Sequence, residues 1–141
     1  MNHSAIPPDL IAAYRATRYW VEAAPDRFCL RIDEHSPELA ALLRSASTRC
    51  AAYLTACNPF SVVATHAENE RANRALREAV QQYGVTVIAG TGRDARSAWE
   101  EPSFLALGLG IEDARRLCVR FRQNAVVWSD GDAVPRLILL R

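Results

Sequence analysis

Cys50-Ala-Ala-Tyr-Leu-Thr-Ala-Cys57, then Asn58-Pro-Phe-Ser61, then a helical pattern from His66 to Tyr83, is the stretch that decides the fold. Residues 50–57 are apolar on both faces, which suits an interior strand covered on both sides. Asn58-Pro59 opens a turn. Thr65-His-Ala-Glu68 fits a capping box, in which the Thr hydroxyl accepts from the amide three residues on and the Glu carboxylate reaches back. On the helix that follows, Ala72, Leu76, Ala79, Val80 and Tyr83 share one face, and Gly84 suits the C-terminal cap.

The N-terminal part adds a short helix, with Asp9 as its expected cap and Leu10, Ala13, Tyr14 and Thr17 on one face. Residues 18–23 and 27–32 read as a hairpin joined by Ala24-Pro25-Asp26, with Phe28, Leu30 and Ile32 alternating against Arg27, Cys29 and Arg31. Ser36-Pro37 starts a second helix whose buried stripe is Leu39, Leu42 and Leu43.

Beyond the central helix, Val85 to Ala89 is a strand, residues 90–97 a flexible polar loop, and Phe104 to Leu109 a strand. Gly110 opens an amphipathic helix with Glu112 and Asp113 at its start and Arg residues towards its end, complementing the helix dipole. Strands at 125–128 and 134–140 close the chain around the turn at Asp130-Gly-Asp132. The two hairpin-like pairs leave too few crossovers for an all-parallel sheet. The expectation is a single α+β domain over residues 1–141, with a mixed, mainly antiparallel sheet of about seven strands, residues 50–57 in its interior, and about four helices.

Composition narrows the chemistry. All seventeen basic residues are Arg, so Schiff-base chemistry, a phosphate-loop lysine and amine nucleophiles are excluded. A net charge of +1 supplies no general field for nucleic acid or an acidic membrane. Cys29, Cys50, Cys57 and Cys118 include no C-x-x-C pair, which argues against a zinc knuckle, so no metal and no cofactor is expected. The N-terminus has no signal-peptide pattern and no segment reaches the apolar length of a membrane span. These features place the chain in the cytoplasm with reduced thiols. Oligomeric state is not fixed by the sequence.

The densest set of polar side chains in an apolar setting is the corner at residues 55–71, with Thr55, Asn58, Ser61, His66, Glu68, Asn69 and Arg71. Asn69 heads the apolar stripe, so its amide must bond either the 58–61 turn or a ligand. Arg71 lies off that stripe, where solvated surface is its default, although from there a guanidinium could grip an anion bidentately. Cys57 and His66 flank the corner as a thiolate–imidazole candidate. Gly90-Thr-Gly92 with Arg93 and Arg96 lacks the spacing of a phosphate-binding motif and reads as a loop.

Thr55-Ala-Cys-Asn58-Pro59-x-Ser61, Glu68-Asn69-x-Arg71, Glu101-Pro102-Ser103 and Gln123-Asn124-Ala125 together resemble the motifs of a family of small bacterial proteins known as domain of unknown function 3293. The likeness runs from Tyr14 to Leu140. The family carries no assigned activity, so the resemblance implies no reaction. It does group Glu101, Ser103, Gln123 and Asn124 with the corner, at strand ends and helix boundaries where α/β proteins gather ligand contacts. Cys57 stands where relatives are expected to carry an aromatic residue, which weighs against a cysteine nucleophile. Glu101 and Ser103 can meet Asn58 only if residues 50–57 and 104–109 form antiparallel neighbours.

Two functions follow as expectations. In the first, the corner binds a small polar metabolite or nucleotide, expected to be anionic, with hydrolytic or transfer chemistry available: Glu68 or Glu101 is the base, and Asn58, Ser61, Asn69, Arg71, Ser103, Gln123 and Asn124 are binding residues. In the second, the chain is a non-catalytic regulatory or protein-interaction module whose polar motifs brace turns.

Overall fold

The computed structural model describes residues 4–23, 26–94 and 96–141. Ala24 and Pro25 of the expected hairpin turn lie outside them.

The described elements run α1 (Pro8–Ala16), β1 (Arg18–Val21), β2 (Phe28–Leu30), α2 (Pro37–Ser45), β3 (Ala51–Leu54), α3 (His66–Gln81), β4 (Thr86–Arg93), β5 (Glu100–Leu107), α4 (Ile111–Arg120), β6 (Ala125–Ser129) and β7 (Pro135–Leu139). A 3₁₀ turn at Pro59–Ser61 follows β3. The strands form one seven-stranded sheet in the order β2-β1-β4-β5-β3-β6-β7. Every ladder is antiparallel, so the parallel pairs that a mixed sheet would contain do not occur among the described residues. Strand β3 is buried along its whole length between β5 and β6.

Two crossovers interlock at the centre. Helix α3 joins β3 to β4 with β5 between them, and α4 joins β5 to β6 with β3 between them. This is the double split βαβ, or ferredoxin-like, arrangement. The β1–β2 hairpin extends it beyond β4, and β7 extends it beyond β6.

Period-two alternation along each strand separates two faces. On one, Ala52, Leu54, Phe104, Ala106 and Val126 meet Leu76 and Val80 of α3 and Ala114, Leu117 and Cys118 of α4. On the other, Tyr19, Val21, Tyr53, Leu105, Leu107 and Val127 surround Leu39 and Leu43 of α2. The sheet curls around that second face. Asp33 N–H donates to Pro135 C=O at 2.7 Å and Ser36 N–H to Ala133 C=O at 2.9 Å, linking the segments beside the two edge strands. Helix α2 fills one end of the resulting trough, its start capped by Ser36 Oγ, which accepts from Leu39 N–H at 3.1 Å.

Helix α1 begins differently from expectation. Pro7 occupies its N-cap with no side-chain cap, and Asp9 sits inside the first turn. None of the helix's residues is buried, yet its stripe of Leu10, Ala13 and Tyr14, together with Thr17, faces the other end of the trough. An apolar stripe over an unfilled space is the first sign of a cavity.

The segment expected to be a flexible loop is largely sheet. Gly90, Thr91, Gly92 and Arg93 continue β4 and pair with residues 103 to 100 of β5, which starts four residues before the expected Phe104. Gly90 is required there, because a Cβ would lie 2.4 Å from Trp20 O and 2.7 Å from Tyr53 Oη. Those two atoms are themselves hydrogen-bonded at 2.7 Å across the glycine. Glycine inside a strand marks this kind of close approach.

Candidate functional site

The polar corner is built first by amides. Asn58 has φ 47° and ψ 67°, the left-handed region that Asn tolerates better than most residues. Its N–H donates to Asn69 Oδ1 at 2.9 Å, and its Oδ1 accepts from Ala64 N–H at 3.0 Å and from Asn69 Nδ2 at 2.9 Å. One helical turn along α3, Asn73 Oδ1 accepts from Ala56 N–H at 2.7 Å while its Nδ2 donates to Pro102 O at 2.9 Å and lies 3.1 Å from Cys57 Sγ. Gln123 Nε2 donates to Cys57 O at 3.1 Å. Side-chain amides thus bond the backbone N–H of Ala56 and Asn58 and the carbonyl of Cys57. Thr65 and Glu68 form the expected capping box, each bond 3.1 Å.

Phe60 and Ser61 are also left-handed, with φ 54° and 62°. For a Phe this is a costly conformation, about 1–2 kcal/mol. Phe60 is fixed by its N–H donating to Arg122 O at 2.7 Å and by the Arg141 guanidinium 4.3 Å over its ring. Ser61 Oγ bonds Tyr14 Oη at 2.6 Å, and Asn124 Nδ2 donates to both oxygens, at 3.1 and 3.2 Å respectively. Backbone strain over-determined in this way concentrates at ligand sites.

The antiparallel β3–β5 ladder brings Glu101 to the same corner. Asn58 Nδ2 donates to Glu101 Oε2 at 3.0 Å. Glu101 lies on the concave face, in a row running Tyr19, Gly92, Glu101 across β1, β4 and β5. Gly92 contributes no side chain to that row. The gap it leaves, roofed by α1, is part of a cavity of about 320 Å³. Polar lining comes from Tyr14, Thr55, Asn58, Ser61, Asp94 and Glu101 among others, and apolar lining from Leu10, Val63, Trp99 and Leu137.

Glu101 is the electrostatic anomaly of the site. Burial pushes its carboxyl up to about 7, against a smaller lowering effect of the Asn58 hydrogen bond. Among the described residues no donor reaches its Oε1 atom, and no ion pair reaches either oxygen. Tyr19 and Tyr53 beside it are also raised by burial, and their hydroxyls donate to Tyr14 O at 2.6 Å and Trp20 O at 2.7 Å.

Of the residues expected at a site, Glu101, Asn58, Ser61, Ser103, Gln123 and Asn124 all border this cavity. Asn69 stands one hydrogen bond behind it. Glu68 and Arg71 do not line it: Glu68 is engaged in the helix cap, and Arg71 is exposed on α3 and pairs with no acid among the described residues. No Arg or His lines the cavity at all among the described residues, so the lining offers an anion no cationic partner. The Cys57–His66 pairing does not form. Cys57 is buried with its thiol pushed up by burial, and His66 faces Glu70 at 3.5 Å on the exposed surface.

Sequence reading missed Asn73, Tyr14, Tyr19, Tyr53 and Trp99. Asn73 carried a signal, since it repeats Asn69 at i+4 on the buried stripe. The aromatic residues carried none before the sheet order was known. Among the described residues no group of three His, Cys, Asp or Glu side chains could hold a metal ion, and no helix is long and apolar enough to cross a membrane.

No curated protein and no solved structure matches this chain. One family model does, over residues 54–126, from the end of β3 through the corner, α3, β4, β5 and α4 into β6. That span holds the asparagine braces, Glu101 and Gln123-Asn124, while Tyr14 and Tyr19 lie outside it. The match covers just over half of the chain, and the chain belongs to the family described as protein of unknown function, DUF3293.

Proposed function

We propose that the cavity under α1 binds a small organic molecule and that Glu101 is the acid–base group of the site. The observation that carries this reading is a half-buried carboxyl with one oxygen oriented by Asn58, the other left without a protein donor among the described residues, on the wall of a cavity of about 320 Å³. Small-molecule sites are typically concave spaces of roughly 300–1,000 Å³ with a few convergent polar groups. A carboxyl that exchanges its proton near neutral pH serves as general acid or general base, which hydrolytic and transfer reactions both use. The strained, braced 58–61 turn supports the same reading, because it holds Asn58 and Ser61 at the cavity wall. Arg71 and Glu68 have no part in it, and the ligand is not anionic.

The test is a fragment screen by protein-observed NMR, with parent protein and Glu101→Gln compared. Hits should shift the Trp99 indole and Gly92 amide signals together, and Glu101→Gln should weaken them at least about tenfold. Hits that cluster elsewhere, or that ignore the substitution, contradict the reading.

One observation favours the alternative of a protein-interaction module. Phe60, Val62 and Val63 are exposed together on the 60–63 segment beside the cavity mouth, Val63 at 89%. A partner held there would be lost on Val62→Ser, at a residue outside the cavity lining, with fragment binding in the cavity retained.

A further inference from the structure

We infer that the ligand of this cavity is an organic ammonium, its charged group set against the Glu101 carboxylate and the aromatic faces beside it, its apolar body beneath α1. The inference rests on the small-molecule reading above and adds the chemical class.

Charge is the first argument. Asp94 and Glu101 line the cavity, and no cationic side chain among the described residues does. Arg141, which reaches the rim residue Asn124, is engaged there: its Nη1 donates to Asn124 Oδ1 at 3.1 Å and its guanidinium stacks on Phe60. Asp94 is already satisfied as a turn-former, accepting from Arg96 N–H at 2.9 Å and Ser97 Oγ at 3.3 Å. Glu101 Oε1 is the acceptor left over. The residue is half-buried on the cavity wall, so a cation entering the cavity meets a carboxylate that is only partly solvated and has no protein countercharge among the described residues.

Aromatic rings are the second. Tyr14, Tyr19, Tyr53 and Trp99 line the same space. Tyr19 and Tyr53 meet edge to face at 5.3 Å, with hydroxyls tied to backbone carbonyls, so their rings are held in place. Trp99 extends over Gly92, where a Cβ would already be 3.7 Å from the indole edge. Ring faces attract cations, and aromatic walls combined with a carboxylate are the usual surroundings of a bound ammonium. Leu10, Ala13 and Leu137 supply the apolar surface for the rest of the molecule.

The proton balance is explicit. Below the titration of Glu101 its carboxyl is protonated, so binding an ammonium forms the ion pair and releases one proton to solvent. Affinity for an amine that stays protonated throughout should therefore rise from about pH 5.5 to about pH 7.5 and then level off. A neutral ligand that hydrogen-bonds the carboxylic acid would show the opposite slope.

The experiment uses three matched probe sets: benzylamine, phenethylamine and cyclohexylamine, each with its alcohol and carboxylate counterpart. Binding is followed at the Trp99 indole and Gly92 amide across that pH range. The expected result is that the amines bind, tighten with pH, and lose at least about tenfold in affinity in Glu101→Gln. Gly92→Val, which fills the gap in the β4 row without touching a charge, should abolish binding of every probe. Alcohols or carboxylates that bind as tightly as the amines, at the same signals, would overturn the ammonium class and leave the site standing. If no probe moves those signals, both the class and the site fall.

Discussion

The two sides of the 56–58 turn are treated oppositely by the chain. On the α3 side, Asn69 and Asn73 answer the exposed backbone groups one for one, and Thr55 Oγ1 joins Asn73 on the carbonyl of Pro102, at 2.8 Å. On the trough side, one residue earlier on β5, Glu101 receives a single hydrogen bond and no countercharge among the described residues. The first side is complete without a ligand, so its asparagines stabilise the fold. The second is incomplete, and incompleteness at a partly buried ionisable group lining a cavity is where function is to be sought.

That contrast can be broken most forcefully from the trough side. Gly90→Ala should cost about 3 kcal/mol or more in a denaturant melt, because the new methyl would displace the Tyr53 hydroxyl from Trp20 O and push the ring into the cavity floor. Retention of parental stability would mean that the trough is not built as described.

The next effect sharpens the comparison through pH. Glu101 titrates at about 7 in the folded chain and near 4.5 when unfolded. Between those values the folded state holds the extra proton, so the contribution of Glu101 to stability is present below about pH 4.5 and is lost as pH rises through about 7, a swing of about 3 kcal/mol. Glu101→Gln keeps an acceptor for Asn58 and removes the charge. It should match the parent near pH 4.5 and be more stable above pH 7, by up to about 3 kcal/mol in paired urea melts. A variant less stable than the parent at pH 8 would contradict this assignment.

On the braced side, Asn73→Ala should cost about 2 kcal/mol, since it leaves the buried Ala56 N–H without its acceptor. Unlike Glu101→Gln, its cost should not depend on pH between about 5 and 8, which separates a brace from an acid–base group. Smallest of all is Arg71→Ala, expected to change stability by no more than about 0.5 kcal/mol, because the side chain is exposed and lies outside the cavity. A loss of several degrees in Tm would instead mark it as structural.

How much of this was legible in sequence depended on whether the signal was local. The capping box at Thr65 and the Ser36 cap are matters of neighbouring residues and emerged where expected, and the two-faced strand expected at residues 50–57 emerged in shorter form, as Ala51–Leu54. The count of about seven strands and the mainly antiparallel character followed from hairpin spacing, whereas a sheet with no parallel pair among the described residues did not. Gly90 and Gly92 misled because glycine ordinarily signals a loop, whereas here each answers a neighbouring strand: one admits the Tyr53 hydroxyl, the other leaves the gap. Glu101 stood out only through its neighbours Pro102 and Ser103. Its isolation from any countercharge depends on the β3–β5 register and on α1 lying across the trough. Tyr14, 110 residues from Asn124 along the chain, reaches it only through that long-range closure.

The most direct measurement is the titration of the Glu101 carboxyl itself, followed by its ¹³C side-chain resonance with Glu101→Gln as the assignment control. The account predicts a midpoint at about 7, with the Trp99 indole and Asn58 amide signals moving in step. A midpoint near 4.5, the ordinary value for a solvated glutamate, would contradict the claim that this carboxyl is desolvated in its half-buried place, without a countercharge among the described residues, and poised for a ligand.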